Sequence, residues 1–298
     1  MRTISRFFGV ILLFSCLIGM LVPTVGDMTS LIVILSLAFI IFCSYFQINF
    51  SIGFMLTDFT ISVKFWFIRY VMVPMVVFFI FKWISSFYAP VLLLSFLLPA
   101  AVSSPSFATI FGGKPDLSLK ILVYSSFLAV LTIPLLMTLL LDPSIRVSEG
   151  RMLLTLVYTI VIPFFVHLPL RKVKIVKETA VRYNPLFTLI GLGTIFIVVT
   201  ARNKTAILGN PGLVGLFAVE ALVLFSMMYL TGFYLFPKQS MEVRKTFSIS
   251  SGANNIGLGV TLTALFFPGE MNIFFIVSQL AWVLMLIPIR RLLGDSGK

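Results

Sequence analysis

Long apolar runs with hardly a charge in them limit most severely what this chain can become. "ILVYSSFLAVLTIPLLMTLL", residues 121–140, carries none at all, and similar runs recur from end to end. About twenty such residues make a helix long enough to cross the hydrocarbon of a bilayer. The 298 residues are 59% hydrophobic and only 11% charged, with mean hydropathy +1.12. A soluble domain is nearer half apolar and a quarter charged. The chain is therefore expected to be an all-α polytopic membrane protein. Its net charge of +12 does not point to nucleic acid, because the basic residues punctuate the apolar runs instead of forming one patch. Cys16 and Cys43 both lie inside apolar runs, so neither a disulfide framework nor a zinc site is indicated, and no cofactor is expected.

Ten spans are expected, at 6–22, 29–50, 61–82, 89–111, 117–140, 149–170, 183–200, 212–236, 242–267 and 270–292. The start, "MRTISRFFGVILLFSCLIGMLVPT", also has the form of a signal peptide; a retained first helix is the preferred reading, since no small-residue cleavage site is clear. Ten spans put both termini on one side. Arg2, Arg6, Lys64, Lys114, Lys120, the cluster 171–182, Lys238, Arg244, Lys245, Arg290, Arg291 and Lys298 fall on that side. Lys82, Arg146, Arg151, Arg202 and Lys204 fall on the other. The positive-inside rule then puts both termini in the cytoplasm, with a bacterial inner membrane as the expected location.

The chain also repeats itself. "DLSLKILVYSSFLAVLTIPLL" from Asp116 and "EMNIFFIVSQLAWVLMLIPIR" from Glu270 align at one offset of 154, with Ser118 on Asn272 and Pro134 on Pro288. Five helices per half would make the second copy enter from the opposite face. Each copy follows an apolar segment broken by helix-disfavouring residues. The fourth span carries "PAAVSSPSFATIFGG", where Pro105 removes a backbone donor; the ninth carries "RKTFSISSGANNIGLGV", where Gly252 is the expected break. Small polar residues also serve close helix packing. Two interrupted helices at matching places in inverted halves are instead the pattern of secondary transporters. Ser103, Ser104, Ser106, Ser251, Asn254 and Asn255 are accordingly the candidate substrate-binding residues.

The stretch Lys245-Thr246-Phe247-Ser248-Ile249-Ser250-Ser251-Gly252-Ala253-Asn254-Asn255, with "SSPSFATIFGGKPDLS" in the fourth span, resembles the bile acid:sodium symporter family. The resemblance implies a panel (1–60 and 149–205) and a core (61–148 and 206–298) whose broken helices cross near the midplane and hold an organic anion. It also implies two sodium ions behind the crossing. Here the family's bridging Glu is Ser250, its fourth-helix Asn is Pro105, its later Thr is Leu122 and its third-helix Gln is Arg69; Ser104, Ser118 and Asn254 keep polar side chains. A hard cation wants several oxygens and preferably a full negative charge. A fixed arginine nearby repels it by ~4 kcal/mol at about 4 Å and an effective dielectric of about 20. The ordinary sodium sites read as dismantled.

Arg69 and Glu220 each sit about eight residues into a span, on repeat-equivalent helices, so their side chains could meet near the midplane, and both are functional candidates. Arg69 has three readings: a substrate contact, a tethered cation standing where sodium otherwise binds, or a snorkelling side chain. Glu220 has three readings as well: a structural ion-pair partner, a residue facing a water-filled crevice, or a proton-coupling carboxylate. His167 is expected at the interfacial end of the sixth span. No HExxH, Gly-x-Ser-x-Gly or paired acidic motif supports an enzyme. The expected function is alternating-access transport of a small organic anion, bile-acid-like or carboxylate, with weakened or absent sodium coupling. A sodium- or proton-coupled symporter and a channel or sensor on the same scaffold are the alternatives.

Overall fold

In the computed structural model, residues 8–23, 26–48, 51–83, 88–141, 148–267 and 269–293 are described. Arg2, Arg6, Arg146 and Lys298, read above as topology signals, lie outside them, as does the basic start of the N-terminal segment. Among the described residues every regular element is helical. The helices are α1 (Phe8–Leu21), α2 (Thr29–Tyr45), α3 (Ile52–Leu56), α4 (Phe59–Lys82), α5 (Tyr88–Leu97), α6 (Ser104–Ile110), α7 (Pro115–Leu140), α8 (Glu149–Leu170), α9 (Lys174–Gly209), α10 (Pro211–Tyr234), α11 (Met241–Gly252), α12 (Ile256–Phe266) and α13 (Gly269–Leu293).

Each expected span coincides with a helix or a broken pair of helices. Among the described residues, six helices are long and apolar enough to cross a membrane: α4, α7, α8, α9, α10 and the Gly269–Ile289 part of α13. Their outer faces suit lipid. On α10, Leu216, Val219, Val223, Met227 and Leu230 are all exposed at helical spacing. Both copies of the sequence repeat form long helices, α7 and α13, with Asp116 or Glu270 in the first turn and Pro134 or Pro288 inside.

The structure revises several local expectations. The fourth span breaks at 98–103, and Pro105 opens the second half-helix, where its missing donor costs nothing. The ninth breaks at 253–255, with Gly252 the last residue of the first half. α9 runs 36 residues, well beyond 183–200, because nothing between Lys174 and the apolar stretch stops a helix. His167 is in the last turn of α8 but buried, edge-on to Phe46 with ring centroids 4.7 Å apart, because that helix end is covered by the aromatic end of α2.

The chain forms two compact units: 1–49, 148–218 and 257–280, and 50–147, 219–256 and 281–298. In the first, α9 packs on α1 and α2. A Cβ on Gly19 would lie 2.6 Å from the Ile197 carbonyl oxygen, so the small residue permits the close approach. The second holds both breaks and the half-helices α5, α6 and α11, while α12 from Gly257 onward falls in the first. Its core stacks Phe65 of α4 on Phe247 of α11, with ring centroids 4.3 Å apart and planes at 9°, among Tyr70, Leu117, Ile121 and Val243. α3 is tied to α7 by Lys120, which donates to Thr57 at 2.6 Å and pairs with Asp58 at 2.8 Å, and by the Tyr124 hydroxyl on the Met55 carbonyl.

α10 meets α11 at Gly232, where an added Cβ would run into the Phe247 carbonyl oxygen and lie 2.6 Å from Ser251 Cβ. Overpacking of this kind costs about 1–3 kcal/mol. Gly232→Ala should therefore lower the melting temperature of the purified protein. Gly150→Ala, whose Cβ meets nothing within 4 Å, should leave it unchanged or raise it.

Candidate functional site

The two helix breaks meet. Ala100 and Asn254 form an isolated antiparallel bridge, flanked by two backbone bonds: Ala101 N–H donates to the Ala253 carbonyl at 2.7 Å and Asn255 N–H to the Pro99 carbonyl at 2.9 Å. Each unwound stretch thus satisfies backbone groups of the other, which is how irregular backbone is tolerated at membrane depth.

Helix ends leave carbonyls without intrahelical partners, and the aligned peptide dipoles put roughly half a negative charge there. Two such ends, those of α5 and α11, meet the Arg69 side chain. Arg69 lies in a π-helical turn, Ile68–Met72, and is 0% exposed. Its Nη1 donates to the Phe96 carbonyl at 2.9 Å, its Nη2 to the Ser251 carbonyl at 2.8 Å, and its Nε to Ser251 Oγ. The guanidinium carbon also lies 4.8 Å from the Tyr70 ring centroid and 5.0 Å from that of Phe96. One buried positive charge faces about one negative charge of helix dipole, with aromatic faces beside it.

The neighbouring carbonyls of α11 are also taken. That of Ile249 accepts from Ala253 N–H at 2.8 Å, Ser250 from the Tyr70 hydroxyl at 2.6 Å, Gly252 from Asn254 N–H at 3.1 Å, and Ala253 from Ala101 N–H. On α5, the Ser95 carbonyl accepts from Asn254 Nδ2 at 2.8 Å. Every carbonyl from Ile249 to Ala253 therefore has a donor within the protein.

Behind these lie three buried hydroxyls. Ser118 Oγ is 3.3 Å from Ser104 Oγ and 3.1 Å from Ser250 Oγ. The structure thus brings together Arg69, Ser104, Ser118, Ser250, Ser251 and Asn254, each at most 1% exposed. Ser103 and Asn255 are half-buried and Ser106 is exposed. Ser251 Oγ donates onward to the Met228 carbonyl at 2.6 Å, and Ser248 Oγ to that of Tyr229 at 2.9 Å. Asn254 Oδ1, itself buried, has no hydrogen-bond partner. Glu220 is half-buried on α10, while the bonds of the Arg69 guanidinium run to Phe96 and Ser251.

Tyr70, Ser125 and Met228 take part without having been singled out from sequence. Ser125 Oγ accepts from Ala100 N–H at 3.2 Å, and it lies in the repeat's own "YSS". Only the π-helical turn shows why Tyr70 matters, since it turns two consecutive side chains towards one helix end. Removing a donor from a buried acceptor costs about 1–3 kcal/mol. Tyr70→Phe should destabilise by roughly that amount, and Arg69→Met, which abandons three acceptors, by ~3 kcal/mol or more. Thermal melts should rank them in that order; an Arg69→Met protein as stable as the parent would refute this account of the guanidinium.

Among known proteins the chain is similar to the "Uncharacterized protein YbaS" of Bacillus subtilis (strain 168). They are 25% identical over 196 residues, a match that spans 63% of this chain and 63% of that relative's length. Residues 55–210, more than half of the chain and including Arg69, Ser104 and Ser118, match the model of the sodium bile acid symporter family. Its description is of a transporter family, not an enzyme family. With the interrupted, hydrogen-bonded helices in the apolar spans, this gives the identification: the chain belongs to the sodium bile acid symporter family.

Proposed function

We propose that the protein is a secondary transporter that moves a small organic anion by alternating access, with Arg69 standing permanently where the family's sodium would act. The observation that carries this is the engagement of Arg69 with the carbonyl ends of both broken helices. A bound cation gathers such carbonyls; here a covalently held one has done so. The residues present do not suit sodium. The hydroxyls of Ser104, Ser118 and Ser250 and the amide oxygen of Asn254 bring no carboxylate, and the carbonyls from Ile249 to Ala253 each already accept a hydrogen bond.

The proposed architecture is ten spans in two inverted halves. The crossing supports it, because the repeat offset maps Ala100 onto Asn254, Pro99 onto Ala253 and Ala101 onto Asn255. Its two flanking backbone bonds are exchanged by that mapping, as a two-fold axis through the bridge requires. In this reading 1–60 with 149–205 is the panel and 61–148 with 206–298 the core, a division that differs from the compact units at 50–60, 148, 206–218 and 257–280. Both termini are cytoplasmic in a bacterial inner membrane. Ser103, Ser106 and Asn255, the less buried members of the predicted set, contact substrate. Ser104, Ser251 and Asn254 frame the site from behind. A proton-linked version would use Glu220, a half-buried carboxylate within the apolar span Pro211–Tyr234.

Proteoliposomes test this directly. Labelled-anion counterflow, accelerated from the trans side, is expected of a carrier and not of a channel. Uptake in sodium and in choline media at fixed pH should agree within tenfold, which is ~1.4 kcal/mol of coupling where the effect is on affinity. A tenfold rise with sodium would reject the sodium-free reading. Arg69→Gln alone should impair transport without creating sodium dependence, because Ser250 still brings no charge. Arg69→Gln with Ser250→Glu should gain a sodium response.

A further inference from the structure

We infer that transport is uncompensated: each cycle carries only the substrate's own negative charge, so a membrane negative on the cytoplasmic side drives net export of the anion. This rests on the sodium-free reading above and extends it to the direction of flux.

The argument is one of charge conservation over a closed cycle. Any charge fixed to the protein that moves during one half of the cycle returns during the other. Net charge per turnover is therefore that of the substrate plus that of ions bound on one side and released on the other. Arg69 is part of the chain, fully buried, and bonded to Phe96 and Ser251; it cannot be released. The carbonyls from Ile249 to Ala253 already have donors. The hydroxyls of Ser104, Ser118 and Ser250 hold one another and carry no formal charge. Lys120, the buried lysine of α7, is paired with Asp58 at 2.8 Å. Among the described residues, the crossing therefore offers a mobile cation no carboxylate and no carbonyl from Ile249 to Ala253 without a donor; the neutral amide oxygen of Asn254, the acceptor there without a partner, is too little by itself for a hard cation.

A sodium symporter moving two cations with one monoanion carries net positive charge inward and is driven to uptake by an inside-negative potential. Replace those cations with a tethered one and the sign reverses. A potential worth ~2.3 kcal/mol per elementary charge then favours a monoanion outside by roughly fiftyfold. The same scaffold becomes an exporter without any change in its substrate contacts.

The test measures charge and flux together. The protein is reconstituted into liposomes on a solid-supported membrane, with taurocholate and pyruvate as the two probe anions. An inward anion gradient should move negative charge inward, equally in sodium and choline. In a parallel experiment, an interior-negative potassium–valinomycin potential should accelerate loss of preloaded anion. Positive charge entering with the anion, in sodium only, would overturn both this inference and the sodium-free reading. Flux that is equal in the two media but carries no current would leave the sodium-free reading standing and overturn this one. A current that then appears in Glu220→Gln would identify Glu220 as the carrier of a compensating proton. No flux of either anion, from protein that still melts cooperatively, counts against both readings.

Discussion

Everything at the crossing depends on the contact between one guanidinium and two carbonyl ends. Interrupting a helix inside a membrane creates unpaired backbone groups and a partial charge at each cut end, neither of which lipid can satisfy. Water could solvate them, or an ion, or the protein. Here the protein does it, through Arg69 on the Phe96 and Ser251 carbonyls and Tyr70 on that of Ser250. The cost of burying a full charge is offset because the charge has specific acceptors and aromatic faces around it. Neither the arginine nor the breaks would be tolerable alone; each removes the other's penalty.

The same solution recurs on a smaller scale. Arg202 donates to the Ala264 carbonyl near the end of α12 at 3.0 Å, Lys204 to the Val22 carbonyl just past α1 at 3.2 Å, and Arg244 to the Phe233 carbonyl at the end of α10 at 3.2 Å. Arg244 also lies 4.1 Å from the Phe233 ring centroid. Cationic side chains at helix C-termini are electrostatically favoured anywhere, and more so where water is scarce. Basic residues that read as topology signals therefore also finish helices. Arg69 differs in serving two ends at once, within a span.

Much of the site was legible before the structure. Ser104, Ser118, Ser250, Ser251 and Asn254 stand out as polar residues in apolar surroundings, and they do converge. Their individual duties were not legible. Ser251 is expected among the substrate-binding residues; what the structure adds is that its hydroxyl accepts from Arg69 and donates to the Met228 carbonyl. Pro105 looked like the break in the fourth helix, yet it begins the next half-helix. The reason is that residue type reports that a polar group needs a partner, not which partner geometry supplies.

By itself, then, the sequence determined the class of solution: a bundle of membrane-length helices, two of them interrupted, with small polar residues at the interruptions. Those are consequences of local hydropathy and local backbone preference, which act over some twenty residues or fewer. Tertiary structure decided the pairing. Arg69 and Ser251 are 182 residues apart, and Ser118 and Ser250 are 132 apart. No local preference spans such distances. Only the packing of α4 and α7 against α11, with a π-helical turn aiming Arg69 and Tyr70 at the same helix end, turned an arginine in an apolar segment into the fixed cation of the crossing.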